Sequence, residues 1–139
     1  MAEVSATRAT LRVIGDNLEP EVISELLGCN PTSASRMGET VGRKHTRIAR
    51  TGGWSLEASA RCPGNLEAQI DEILGQMTSD PKVWRKIGGE FQVGLFVGVF
   101  LKQGNEGLNI SHDSLLKLGE RGIKIDLDIY GGAGEERDD

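Results

Sequence analysis

LRVIGDNLEPEVISELLGCNPT, residues 11–32, reads as strand, turn, helix and stop, and its reading decides how the rest of the chain is parsed. Leu11 and Val13 alternate with Thr10 and Arg12, the period of a half-buried strand, and Gly15, Asp16 and Asn17 supply turn residues. Pro20 suits the first turn of a helix, where its missing N–H costs nothing, and Glu21 is favourable near the positive end of the helix dipole. Val22, Ile23, Leu26 and Leu27 make one apolar stripe. Gly28 can take the left-handed conformation that closes a helix, and Pro31 prevents its resumption.

Outward from this stretch, residues 1–6 have no pattern and are expected to be loose. Residues 32–37 are compatible with a short edge strand. Residues 38–53 form a Gly-, Arg- and Thr-rich loop with no sustained period, longer than most connections in compact domains. Alternation resumes over 53–58, with Trp54, Leu56 and Ala58 on one face. Asn65 is an N-cap candidate for the clearest amphipathic helix, carried by Leu66, Ile70, Ile73, Leu74 and Met77. Asp80 and Pro81 then start either a short helix or a kinked continuation, with Val83, Trp84 and Ile87 apolar.

The strongest strand is FQVGLFVGVFL, residues 91–101, apolar on both faces and therefore interior. Gly94 and Gly98 leave gaps beside Phe96, of the kind usually filled by a neighbouring backbone or large side chain. Residues 108–110 could pair briefly. Ser111 is a third cap candidate, for a helix with Leu115, Leu116 and Leu118 as its stripe. Residues 123–130 alternate, with Ile123, Ile125, Leu127 and Ile129 expected inward and Lys124, Asp126, Asp128 and Tyr130 outward. GGAGEERDD, residues 131–139, reads as a flexible acidic tail. The succession of elements predicts one α+β domain over 7–130, with a mainly antiparallel sheet and helices packed on one face in ferredoxin-like style.

The 139 residues suffice for one core and not for two ordinary domains. No apolar run approaches the ~20 residues that span a bilayer. The start lacks a basic, then apolar, leader pattern, so a cytoplasmic, bacterial-type location is the expectation. Cys29 and Cys62 stand in no metal or redox spacing and are expected to be inert thiols; at a helix C-terminus, Cys29 meets the negative end of the dipole. The net charge of −5 weighs against nucleic acid as a partner. Arg36, Arg43, Lys44, Arg47 and Arg50 are opposed within 36–50 by Glu39 alone, an excess of four positive charges that leaves −9 on the remainder.

The order of these pieces resembles the bacterial domain-of-unknown-function family 4279. The matching residues are the first strand with Gly15-Asp16, then Leu18, Pro20, Ile23, Leu26-Leu27-Gly28, Pro31-Thr32, Gly38-Glu39 and Gly53-Trp54-Ser55-Leu56. The helix over 66–74 and the closing Asp126-Leu127-Asp128-Ile129-Tyr130 complete the match. The resemblance covers nearly the whole chain outside its termini. It brings no catalytic residues to carry over.

Asp126 and Asp128, two apart on a strand, share a face at about 7 Å. Two carboxylates without a nearby His or third acid are too few for a protein-only metal site, so a solvated or Lys-paired face is expected. His45 and His112 lack the positioned partner that catalysis needs, and both are read as surface residues. The segment bearing Arg43, Lys44, Arg47 and Arg50 is an anion-binding candidate, without the spacing of a phosphate loop. Trp54 and Trp84 lie on apolar faces and are expected in the core. No catalytic, metal or cofactor signature stands in the sequence. The leading expectation is a non-enzymatic interaction module, for instance an immunity-type partner of a basic toxin, contacting it through Phe96, Phe100, Asp126, Asp128 and Tyr130. A homodimer through the same face and a small anionic-ligand sensor are the alternatives.

Overall fold

The computed structural model describes residues 3–44 and 46–131. The alternation of the first segment becomes β1 (Ala6–Gly15), with Thr7, Ala9, Leu11 and Val13 buried and Arg8 and Arg12 exposed. After α1 (Pro20–Leu27), closed by Gly28 at φ 81°, the chain forms β2 (Ser33–Ser35), a small hairpin of β3 (Thr40–Val41) and β4 (Arg47–Ile48), and β5 (Gly52–Glu57). Then come α2 (Leu66–Leu74), α3 (Pro81–Glu90), β6 (Gln92–Phe100), α4 (His112–Glu120) and β7 (Lys124–Tyr130). The predicted caps act as caps: Asn65, Asp80 and Ser111 accept from the amides of Ala68, Lys82 and Ser114. Asp80 with Pro81 starts a separate helix.

The main sheet runs β2-β5-β1-β6-β7. β1 is antiparallel to both β5 and β6, and β2 is antiparallel to β5. Thus β1 and β2 are parallel with β5 between them, and β5 and β6 are parallel with β1 between them. Each β-α-β unit is split by a strand of the other, which is the ferredoxin-like arrangement. α4 then carries the chain to β7, which adds to β6 in parallel and gives the sheet its one parallel pair.

One face of the sheet packs on the helices. Trp54, Leu11, Ile23, Leu27, Ile70, Ile73, Trp84, Ile87 and Leu95 are among its largest buried side chains. The two indoles are core residues with their N–H groups satisfied, by Ser24 Oγ at 3.0 Å and the Thr78 carbonyl at 2.8 Å. Gln69, fully buried among them, donates from Nε2 to the carbonyls of Thr7 and Ser59 at 2.9 and 3.0 Å.

Several expectations are corrected. The described part of residues 1–6 is not loose: Val4 is buried, its amide donates to Gly107 O, and β1 already begins at Ala6. The expected loop over 38–53 contains the β3–β4 hairpin, whose two-residue strands are too short to leave a periodic signal. In α1 Ile23 and Leu27 are buried but Val22 is exposed; in α4 Ser114 and Leu118 are buried while Leu115 and Leu116 are exposed. On β7, Ile123 and Ile125 reach the core but Leu127 and Ile129 are 48% and 58% exposed. The reason is length. Nine residues of α4 cover roughly 14 Å, whereas seven of β7 extend roughly 23 Å, so the helix shields only the start of the strand. The acidic tail at 132–139 and His45 lie outside the described residues.

Candidate functional site: the open face of the sheet

The alternation that buries one face of each strand leaves the other free of helices among the described residues, and the register fixes which side chains stand together there. Ser33, Ser55, Arg12, Gly94 and Lys124 form one row across the sheet. The next row is Glu57, Thr10, Phe96 and Asp126, followed by Arg8, Gly98 and Asp128, then Ala6, Phe100 and Tyr130. The five residues expected at a partner surface, Phe96, Phe100, Asp126, Asp128 and Tyr130, therefore share this face.

Its centre is aromatic. Phe100 and Tyr130 stack with ring centroids 4.7 Å apart and planes inclined by 4°. The Arg12 guanidinium lies 4.3 Å over the Phe96 ring, a cation–π contact. The gaps at the two glycines are filled from within the chain: the Lys124 stem lies over Gly94, and the Phe100 ring leans over Gly98. The expectation of ordinary packing there holds.

Charges of both signs frame the rings. Arg8 donates to Glu57 at 3.1 Å, Lys124 Nζ is 3.7 Å from Asp126, and Tyr130 donates its hydroxyl to Asp128 at 2.7 Å. That hydrogen bond to a carboxylate, with the repulsion of a second negative charge beside it, pushes the Tyr130 phenol up from its ordinary pKa and keeps it a donor. A depression of about 500 Å³ runs over these residues between Ser33 on β2 and Tyr130 on β7. A neighbouring one of about 470 Å³ shares Ser33 and Ser55 with it and continues to Thr40, Val41 and Gly42 of the hairpin. The hairpin therefore rims the open face at its β2 end.

Chemically, the face offers flat apolar surface for stacking, carboxylates at 126 and 128 for a cation, and Arg12 beside the Ser33 and Ser55 hydroxyls for an anion. Arg8, Thr10, Arg12, Ser33, Ser55 and Glu57 are members sequence reasoning missed. The signal was present in the polar phase of the first strand, Arg8, Thr10 and Arg12, but only strand order shows what that phase faces.

The basic segment is built differently. Arg43 and Lys44 stand in the hairpin turn, whereas Arg47 and Arg50 line a separate depression of about 740 Å³ with Val41, Thr46, Ile48 and Ala49. The Arg47 guanidinium folds back toward Gly42. Arg36, at the start of the segment, is engaged elsewhere: it donates to Glu19 at 2.6 Å and to Glu21. A hydrogen bond from the backbone amide and the Arg36 guanidinium hold the Glu21 carboxyl below its usual range.

His112 is exposed, and its Nε2 lies 3.5 Å from Asp113. Cys29 is half-buried, and that burial pushes its thiol up, while Cys62 is exposed. Among the described residues no group of three or more His, Cys, Asp or Glu side chains could hold a metal ion, and no helix is long and apolar enough to cross a membrane.

A family model described as Domain of unknown function (DUF4279) matches residues 5–132. No curated protein and no solved structure matches the chain.

Proposed function

Since the chain belongs to the DUF4279 family over residues 5–132, a description that names no activity, we propose on its geometry that it is a non-enzymatic interaction module whose open sheet face binds a protein. The observation that carries the reading is the aromatic surface of Phe96, Phe100 and Tyr130, uncovered by helices among the described residues and framed by charges of both signs. Large, rigid aromatic side chains ringed by polar groups are the anatomy of binding hot spots. The partner is a basic protein, in the manner of an immunity-type neutraliser of a basic toxin in the cytoplasm. Excess acid over most of the chain steers the encounter, Asp126 and Asp128 take the partner's cations, and the rings anchor the complex.

A tagged pull-down from the native host's lysate at low and moderate salt tests this. One basic protein retained in near-equal amount is the expected result, lost on Phe100→Ala with Tyr130→Ala and weakened by Asp126→Lys with Asp128→Lys. Retention unaffected by these changes would move the contact off this face.

Arg12 favours a second reading, a small anionic ligand seated between that guanidinium and the Ser33 and Ser55 hydroxyls. The hairpin arginines, Arg47 and Arg50, with Arg43 and Lys44 in the turn, are the other anion candidates. Thermal shifts with a panel of anionic metabolites separate the readings, because a ligand specific for the folded state raises its melting temperature. Loss of the shift in Arg12→Gln, but not in Arg47→Gln, would place the anion on the sheet.

A further inference from the structure

We propose that two copies of this chain pair through their β7 edges, antiparallel about a two-fold axis at Asp126, joining two five-stranded sheets into one.

The two edges of the sheet are unequal. β2 has three residues and leads into the hairpin, whereas β7 has seven in unbroken register with β6, contains no proline, and has no strand on its outer side among the described residues. A long, regular edge without protection is a template for another strand.

The side chains at this edge are apolar where they would be expected to be polar. Leu127 and Ile129 point to the helix side yet are 48% and 58% exposed, because α4 ends short of them. On α4, Lys117 reaches Asp71 of α2 at 3.5 Å, which fixes the flank that faces inward along the helix layer. Leu115, 51% exposed, is two residues from Lys117 and on the opposite flank, toward the β7 edge. These residues form one strip that a second sheet edge would cover.

Self-complementarity selects the occupant. A two-fold interface must fit its own image. Centred on Asp126, antiparallel pairing sets Ile125 of one copy opposite Leu127 of the other, twice, and Lys124 opposite Asp128, twice. Asp126 then meets its own image, but each copy already has Lys124 Nζ 3.7 Å from it. Beyond the paired stretch, Ile129 lies against Ile123, and Tyr130 passes Gly122, where nothing lies within 4 Å of a Cβ position. Centred on Leu127 instead, Asp126 would oppose Asp128 twice, a repulsive arrangement. Centred on Ile125, only three β7 residues of each copy would overlap. The open faces would then run on across the seam, so the dimer doubles the face without covering it.

Sedimentation velocity over a concentration series tests the assignment. The wild type is expected to dimerise, and Leu127→Glu with Ile129→Glu to be monomeric with an unchanged circular dichroism spectrum, since both residues are exposed in the single chain. Lys124→Asp alone and Asp128→Lys alone should each weaken the dimer about tenfold, and the two together should restore it. A wild type that stays monomeric up to millimolar concentration overturns the proposal. So does a dimer that survives the Leu127 and Ile129 changes, or a charge swap that fails to restore it. Because Leu127→Glu with Ile129→Glu changes only side chains on the helix side of β7, failure here is distinguishable from failure of the open-face reading, which is read by pull-down.

Discussion

Gln69 shows what a single residue can hide. It lies on the apolar side of a helix that hydrophobic spacing picks out cleanly, yet nothing in that spacing reveals that its amide bridges β1 and the segment after β5. Gln69→Ala removes the donor to the buried Thr7 carbonyl and to the part-buried Ser59 carbonyl and opens a void, so a loss of about 2–4 kcal/mol is expected in urea denaturation. Glu67 works at longer range. Burial pushes its carboxyl up, but the Ser111 amide and hydroxyl, the Ser114 hydroxyl and Lys117 outweigh it, and the net shift is down from 4.5. A carboxyl lowered in the folded state adds stability that is complete above the unfolded value and is lost as pH falls through the lowered one. The stability difference between wild type and Glu67→Gln, measured by denaturation, should therefore be largest at neutral pH and shrink below 4.5. The inert reading of the cysteines and the surface reading of His112 came from chain position alone. Arg8 and Arg12 needed the sheet.

Elements were legible wherever a period lasted longer than about one turn or four alternations, and their ends where Asn65, Asp80, Ser111 and Gly28 stand as caps. What escaped was either too short to be periodic, as in the hairpin, or set by the relative reach of two elements, as with Leu127 and Ile129 at the end of α4. The start of β5 offers a paired test. A Cβ at Gly52 would lie 2.7 Å from the Gly15 carbonyl oxygen and 3.0 Å from Leu18 Cβ, whereas one at Gly53 meets nothing within 4 Å. Gly52→Ala must push β1 and β5 apart and should cost about 1–3 kcal/mol. Gly53→Ala, one residue away, should be neutral or stabilising by up to about 1 kcal/mol, because alanine loses less freedom on folding than glycine. Melting temperatures of the two variants give the comparison directly.

For the whole molecule, the fold class followed from the succession of elements, but the strand order did not, and the candidate face depends on that order. Five of its residues were reachable from the sequence because Phe96 and Phe100, and Asp126, Asp128 and Tyr130, each sit in phase on one strand; their juxtaposition with Arg8, Arg12 and Glu57 is a property of the assembled sheet. If the acidic body steers a basic partner, the association rate measured by surface plasmon resonance should fall as salt rises. Phe100→Ala and Tyr130→Ala should act instead on the dissociation rate. One consequence of the sheet order concerns the making of the protein. Leu11 on the central strand is paired with Leu56 and with Leu95, which a ribosome adds 45 and 84 residues later. β1, made before both, thus has no hydrogen-bonding neighbour until β5 follows and lacks the second until β6 has emerged, so its apolar phase must wait, exposed or chaperoned, until then.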